Sequence, residues 1–198
     1  LGVESEWIVV DDGSRDRTPE VLATLPVRVV SQANAGHGAA CRRGYQEALA
    51  GGAEWILQID SDGQCDPAYF PAFWQARAEY DCVFGRRSTR ADGAGRRLVS
   101  ASCSAIVAAL AGVPPRDFNV PYRLMRRAAL EKALQRLQPE FELQNVGLTV
   151  ALLRQRGLRW KYFSIHFRAR TGGQNSLNLR GIARLALRML RQREALRG

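Results

Sequence analysis

Lysine is nearly absent: of the 29 basic residues in this 198-residue chain, 27 are arginine and two are lysine. Biased genomic base composition explains that preference as readily as function does. Histidine is also scarce, with only His37 and His166, and no pair has zinc-ligand spacing. The four cysteines, at positions 41, 65, 82 and 103, form no CxxC pair. These gaps exclude a zinc ribbon and a disulfide scaffold, and small buried thiols in a reduced compartment are the expectation. The longest uncharged run, residues 98–115, carries three serines and ends in Pro-Pro. It falls short of the ~20 mostly apolar residues of a membrane span and reads as a buried helix. The opening LGVESEW lacks the basic stretch and apolar core of a signal peptide, so none is expected. No internal repeat or linker divides the chain, and its length suits one domain.

What is present is ordinary globular material with an unusual charge. Hydrophobic residues make up 46% and charged residues 24%, enough for a core. Net charge is +10, which directs attention to acidic partners: nucleic acid, anionic lipid headgroups or phosphorylated small molecules. The charge is uneven, with net −6 over residues 1–66 and net +16 over residues 67–198. An acidic metal-binding half meeting a phosphate-binding half would give this asymmetry, and so would simple surface bias.

Short apolar runs alternate with helical stretches. Residues 7–10 (WIVV) read as a buried strand that ends in the turn DDGS. Thr18-Pro19-Glu20 reads as an N-cap, a first-turn proline and a first-turn acid. Strands are expected at residues 27–30, 55–59, 82–84, 120–125 and 159–167. Helices are expected at 36–50, from Pro67, and at 98–111, 128–137 and 143–156. Residues 168–178 read as a polar loop. The alternation predicts an α/β fold with a mostly parallel central sheet and helices on both faces. In such sheets ligands lie beyond the carboxyl ends of the strands. Two strands deliver carboxylates to that edge: Asp11 and Asp12 from one, Asp60 and Asp62 from another.

Asp60-Ser61-Asp62-Gly63-Gln64 is the central motif. Alternate carboxylates in an extended segment and turn can both reach one hard cation, Mg²⁺ or Mn²⁺, that bridges protein to phosphate oxygens. A solvated Asp-Ser-Asp turn is the plain alternative. An EF-hand is excluded, because Cys65 and Pro71 stand where its glycine and glutamate belong. Asp11 and Asp12 can accept hydrogen bonds from a nucleotide base or ribose, or can cap the strand-to-helix turn. Residues 34–42 (NAGHGAACR) place small residues such as Gly38 at a helix start, where backbone can approach a ligand. Cys41 breaks the Rossmann fingerprint there. His37 alone reads as a polar loop residue.

Together these segments resemble the family 2 glycosyltransferases with the GT-A fold. WIVVDDGSRDRT is similar to that family's nucleotide-binding strand and turn, and NAGHGAACRRG to its NxGxGxAxRxG segment. LQIDSDGQ resembles its metal-binding DxD in the DxDxQ form of the dolichyl- and polyprenyl-phosphate sugar synthases. Residues 117–123 (DFNVPYR) are similar to that subgroup's D…R stretch, and residues 167–176 (FRARTGGQNS) to its late R…G…S loop. The match runs from about Trp7 to Ser176. The family normally opens with a further strand and a Pro-x-Tyr-Asn-Glu-like turn. This chain starts just ahead of the second strand, so the resemblance implies a sheet without its first strand. It also implies a transferase domain over residues 1–176 followed by a basic helix over 177–198.

The implied reaction moves a sugar, with inversion, from a nucleoside-diphosphate sugar to a polyprenyl phosphate at the cytoplasmic face of a membrane. On that reading Asp60 and Asp62 hold the cation, while Asp11, Asp12, Gly38, Arg42, Asp60 and Ser61 meet the nucleotide sugar. Gln64 orients the diphosphate or the acceptor. Asp117 is the base or a positioning group, or alternatively an ion-pair partner of Arg116 or Arg123. Arg86, Arg87, Arg123 and Arg170 are the candidates for bidentate phosphate contacts. In the last segment Ile182, Leu185, Met189 and Leu196 form one stripe and Arg180, Arg184, Arg188 and Arg191 another. That helix suits an anionic membrane interface, or a place against the domain with its basic face solvated. Three other readings stand beside this one: a family 2 enzyme with a polysaccharide or other non-lipid acceptor, a nucleotidyltransferase, and a basic nucleic-acid-binding module. No nucleic-acid motif supports the last.

Overall fold

The computed structural model describes residues 2–87, 104–105, 107–109, 112–114, 118, 120–137 and 144–168. In chain order the elements are β1 (Ile8–Asp11), α1 (Thr18–Leu22), β2 (Arg28–Ser31), α2 (His37–Ala50), β3 (Trp55–Ile59), a single 3₁₀ turn (Pro67–Tyr69), α3 (Phe70–Ala76), β4 (Cys82–Arg87), β5 (Tyr122–Arg126), α4 (Arg127–Arg136), α5 (Gln144–Leu153) and β6 (Trp160–Ile165). The α/β alternation expected from the sequence is therefore present. Residues 104–105 and 107–109 are helical, within the expected helix at 98–111. The remainder of that stretch lies outside the described residues, as do the 169–178 part of the polar loop and the basic helix at 177–198.

The strands form two sheets. β1 and β2 pair in parallel, with Val9 opposite Val29. The second sheet has the order β3-β5-β4-β6. Here the expectation of a mostly parallel sheet needs refinement. β4 and β6 are parallel, but β5 runs against both β3 and β4. Strand direction leaves no trace in the sequence of such a strand. β5 is buried at every position but its last, so it reads as the same continuous apolar run whichever way it points.

β1 is only half-buried and β2 is mostly exposed, so the expected burial of the first strand is only partly met. Trp7, just ahead of it, is 70% exposed. α1 starts where expected, with Pro19 and Glu20 in its first turn. Thr18 is the first helical residue rather than the cap, Arg17 precedes it without a side-chain cap, and the helix has five residues. Asp16 Oδ1 instead accepts from Thr18 N at 3.0 Å.

The core lies in and under the second sheet. Phe73 of α3, Phe84 of β4, and Tyr122, Leu124 and Met125 of β5 are essentially inaccessible. α4 buries Ala129, Leu130, Ala133 and Leu134, one stripe of its surface. α5 is buried along its whole length from Gln144 to Leu152, as a helix enclosed on all sides must be. Between β4 and β6 the packing leaves no room for a side chain at Gly85. A Cβ there would stand 2.2 Å from Ile165 Cδ1 and 3.4 Å from Tyr122 Cβ. α2 closes the layer: its Gly44 sits against Val10 of β1, and its Tyr45 is buried with its hydroxyl donating to Gln58 Oε1 of β3.

Candidate active site at the carboxyl rim of the strands

β1 ends at Asp11, whose Oδ1 accepts from Ser14 N at 3.0 Å. This closes a tight turn in which Gly13 takes φ +76. Asp12 reaches across to the segment before α2. Its Oδ1 accepts from Gln32 Nε2 at 2.7 Å and Ala35 N at 2.9 Å, and its Oδ2 accepts from Gly36 N at 2.8 Å. Burial acts to raise this carboxyl, but the bonds from Ala35, Gln32 and Gly36 and the nearby His37 outweigh it, so its pKa lies below the ordinary value. In this structure Asp12 therefore shapes the turn that launches α2, while Asp11 closes the strand-to-helix turn as the capping alternative expected. Gly38 lies in the first turn of that helix.

β3 delivers Asp60 to the same rim. Removal from water raises its pKa and the neighbouring Asp62 raises it further. His37, Arg123 and a hydrogen bond with Gln58 act in the opposite direction. Asp62 Oδ1 accepts from Gln64 N at 3.1 Å, in a turn where Gly63 takes φ +73. Ser61, between them, is exposed. Two carboxylates in one turn, with Asp60 drawn out of water and the Asp62 charge set against it, form a donor set that a hard divalent cation relieves. Among the described residues no cluster of three or more His, Cys, Asp or Glu side chains is placed to hold a metal. A pair of carboxylates suits a cation that completes its shell with water and phosphate oxygens.

Beneath Asp60 lies a polar network that the sequence did not announce. His37 Nε2 lies 3.4 Å from Asn145 Nδ2 of α5 and 3.5 Å from Cys41 Sγ. Gln58 Nε2 donates to Asn145 Oδ1 at 3.3 Å. The Cys41 thiol is pushed up to about 12 by burial and by Asp60, so it is no nucleophile. His37 and Cys41 are one helical turn apart, a spacing visible in the sequence. Asn145 is 108 residues from His37, and no local pattern links them.

Several expected site residues have other partners here. Arg123 is fully buried. Its guanidinium donates to Val120 O at 2.6 Å, Asn145 O at 3.0 Å and Phe118 O at 3.0 Å, and lies 5.2 Å from the Phe84 ring centroid. In this structure it forks backbone carbonyls, because its strand faces the core. Gln64 Nε2 donates to Arg168 O at 3.0 Å. Arg42 Nη1 donates to Leu137 O at 3.1 Å. Arg86 is exposed and reaches Ser164 Oγ at 3.4 Å. The side chain of Arg87, and Asp117, Arg116 and Arg170 entirely, lie outside the described residues.

Comparison with known proteins follows this geometry. Residues 3–136 match the family model for glycosyl transferase family 2. The undecaprenyl-phosphate 4-deoxy-4-formamido-L-arabinose transferase of Pseudomonas aeruginosa (strain LESB58) is 32% identical over 142 residues, covering 68% of this chain and 41% of its own length. The enzyme of that name from Photorhabdus laumondii is 30% identical over 143 residues, covering 68% and 43%. The chain thus spans about two fifths of the length of these curated relatives. Among solved structures, glucosyl-3-phosphoglycerate synthase from Mycobacterium tuberculosis, in complex with Mn²⁺, uridine diphosphate and glucosyl-3-phosphoglycerate, superposes with a TM-score of 0.68 at 21% identity. The superposition covers 96% of this chain and 68% of that one. The likeness establishes the GT-A fold, and the match of the family model over residues 3–136 establishes the rest: the chain belongs to glycosyl transferase family 2.

Proposed function

We propose that this chain carries the nucleotide-sugar half of an inverting, metal-dependent transferase that moves a sugar from a nucleoside-diphosphate sugar to a polyprenyl phosphate. The observation that carries the reading is the Asp60–Asp62 pair at the end of β3, two carboxylates of one turn with Asp60 drawn out of water and the Asp62 charge set against its own. The names of the undecaprenyl-phosphate relatives support the acceptor class, and the Mn²⁺ and uridine diphosphate of the structural neighbour support the donor class. Asp60 and Asp62 would hold the cation, Mg²⁺ or Mn²⁺. When bound, such an ion supplies Lewis-acid neutralisation of the leaving diphosphate.

The chain's own groups set up the rest. Asp12 fixes the 32–36 turn, so that Gly38 and the first turn of α2 offer backbone to the nucleotide beside Asp11 and Ser61. Arg42 on α2, Arg86 on β4 and Arg170, two residues past Arg168 in the chain, would add phosphate contacts. A phosphate acceptor is largely ionised at neutral pH, since its second pKa is about 6, so Asp117 orients it more than it deprotonates it. The basic segment 177–198 would rest on the anionic cytoplasmic leaflet. Among the described residues no helix is long and apolar enough to cross a membrane.

The test is calorimetric titration of uridine diphosphate with and without Mn²⁺. Binding is expected to require the cation and to be lost in Asp62→Ala. Cation-independent binding, or unchanged affinity in that variant, would overturn the reading.

A further inference from the structure

We propose that Gln64, Asp66 and Arg168 form a clamp that sets the position of the Asp62 carboxylate, making Arg168 a positioning residue for the cation–diphosphate site. The inference rests on the function proposed above and adds residues that the sequence motifs did not assign to this task.

The observations form a chain of contacts across two segments about a hundred positions apart. Gln64 N donates to Asp62 Oδ1 at 3.1 Å. Gln64 then meets Arg168 twice, in both directions: Arg168 N donates to Gln64 O at 3.0 Å, and Gln64 Nε2 donates to Arg168 O at 3.0 Å. The Arg168 guanidinium pairs with Asp66 Oδ2. The other oxygen of Asp66 accepts from Ala68 N at 2.9 Å and starts the 3₁₀ turn. One step further, His166 N donates to the Tyr69 hydroxyl at 3.0 Å. Four contacts thus tie residues 64–69, which follow β3, to residues 166–168, which follow β6.

Their location decides what they are for. Arg168 and the Gln64–Arg168 side-chain bond are exposed. Exposed ion pairs and hydrogen bonds contribute little to global stability. Their geometric effect is larger, because the 61–64 turn has almost no apolar anchor of its own and Gly63 stands at its bend. Without a partner segment Asp62 would sample many positions relative to Asp60. With it, the two carboxylates keep one separation, as a shared ligand requires. Gln64 acts here through its neighbours, with its carboxamide directed at backbone rather than at a ligand.

The experiment uses the 198-residue chain with Arg168→Ala, Arg168→Lys, Gln64→Met and Asp66→Asn. Gln64→Met keeps length and removes the donor, and Asp66→Asn keeps an acceptor for Ala68 N. Amide hydrogen exchange at Gln64, His166 and Arg168 reads the clamp directly. Arg168→Ala and Gln64→Met are expected to speed exchange at all three, with Arg168→Lys closer to wild type. Unchanged exchange at Gln64 in Arg168→Ala overturns the clamp. Calorimetry with Mn²⁺ and uridine diphosphate reads its consequence. The same variants are expected to bind on the order of tenfold more weakly, the effect of about one hydrogen bond, while melting temperature stays within a few degrees. Wild-type affinity in variants whose exchange has accelerated overturns the positioning role. If the wild-type chain itself fails to bind, the proposed function falls, and the exchange result still decides whether the clamp exists.

Discussion

Asp12 shows how much one side chain can organise. Three donors converge on its two oxygens, and its carboxyl is held below the usual range despite partial burial. A carboxyl depressed in the folded state stabilises the fold above its unfolded pKa, 3.8. That stabilisation is lost as pH falls through the folded value. Asp12→Asn replaces an acceptor with an amide that faces the Ala35 and Gly36 N–H groups. The variant is therefore expected to be less stable than wild type at neutral pH, with the difference narrowing below about pH 4; urea unfolding across that range measures it. At this scale the sequence was legible where function and local structure share a signal. Asp60 and Asp62 follow a strand two positions apart, so their placement could be read directly. Arg123 sits in an equally family-like segment, yet one of the three carbonyls it forks, Asn145 O, belongs to α5, which no local pattern links to it.

Among the elements, legibility followed burial and period. β3 matched its expected bounds, because an apolar run between a diglycine and an acid has one reading. Helix α2 began one residue later than expected, at His37. β5 was found but its direction was not, since a strand buried on both faces carries no mark of polarity. α1 starts where expected, with Pro19 and Glu20 in its first turn, but Thr18 is its first helical residue rather than its cap. The energetic contrast between elements can be tested. Leu148 on α5 is fully buried, whereas Val29 on β2 is 38% exposed. Leu148→Ala is expected to cost about 2–5 kcal/mol through lost burial and a cavity. Val29→Ala should cost less than about 1 kcal/mol, with chemical denaturation as the measure for both.

For the whole molecule, the division of charge between an acidic first third and a basic remainder matches a carboxylate rim followed by arginine-rich segments. Deleting residues 178–198 is expected to weaken binding to anionic vesicles, by about 1 kcal/mol for each arginine lost from the surface. The loss should shrink as salt is added. Co-sedimentation at two ionic strengths measures it, and unchanged binding would remove the interfacial role of that segment.

The side chains of β6 give this architecture a built-in optical gauge. Trp160 lies parallel to Tyr162, with centroids 5.9 Å apart at 6°, and edge-on to Phe84 of the neighbouring strand at 5.2 Å. The chain leaves this strand directly into His166 and Arg168. With Trp7, Trp55 and Trp74 replaced by phenylalanine, the emission of the remaining indole would report strain arriving from the carboxylate rim. A ligand event some residues away thereby becomes readable as a colour and lifetime, without any added dye.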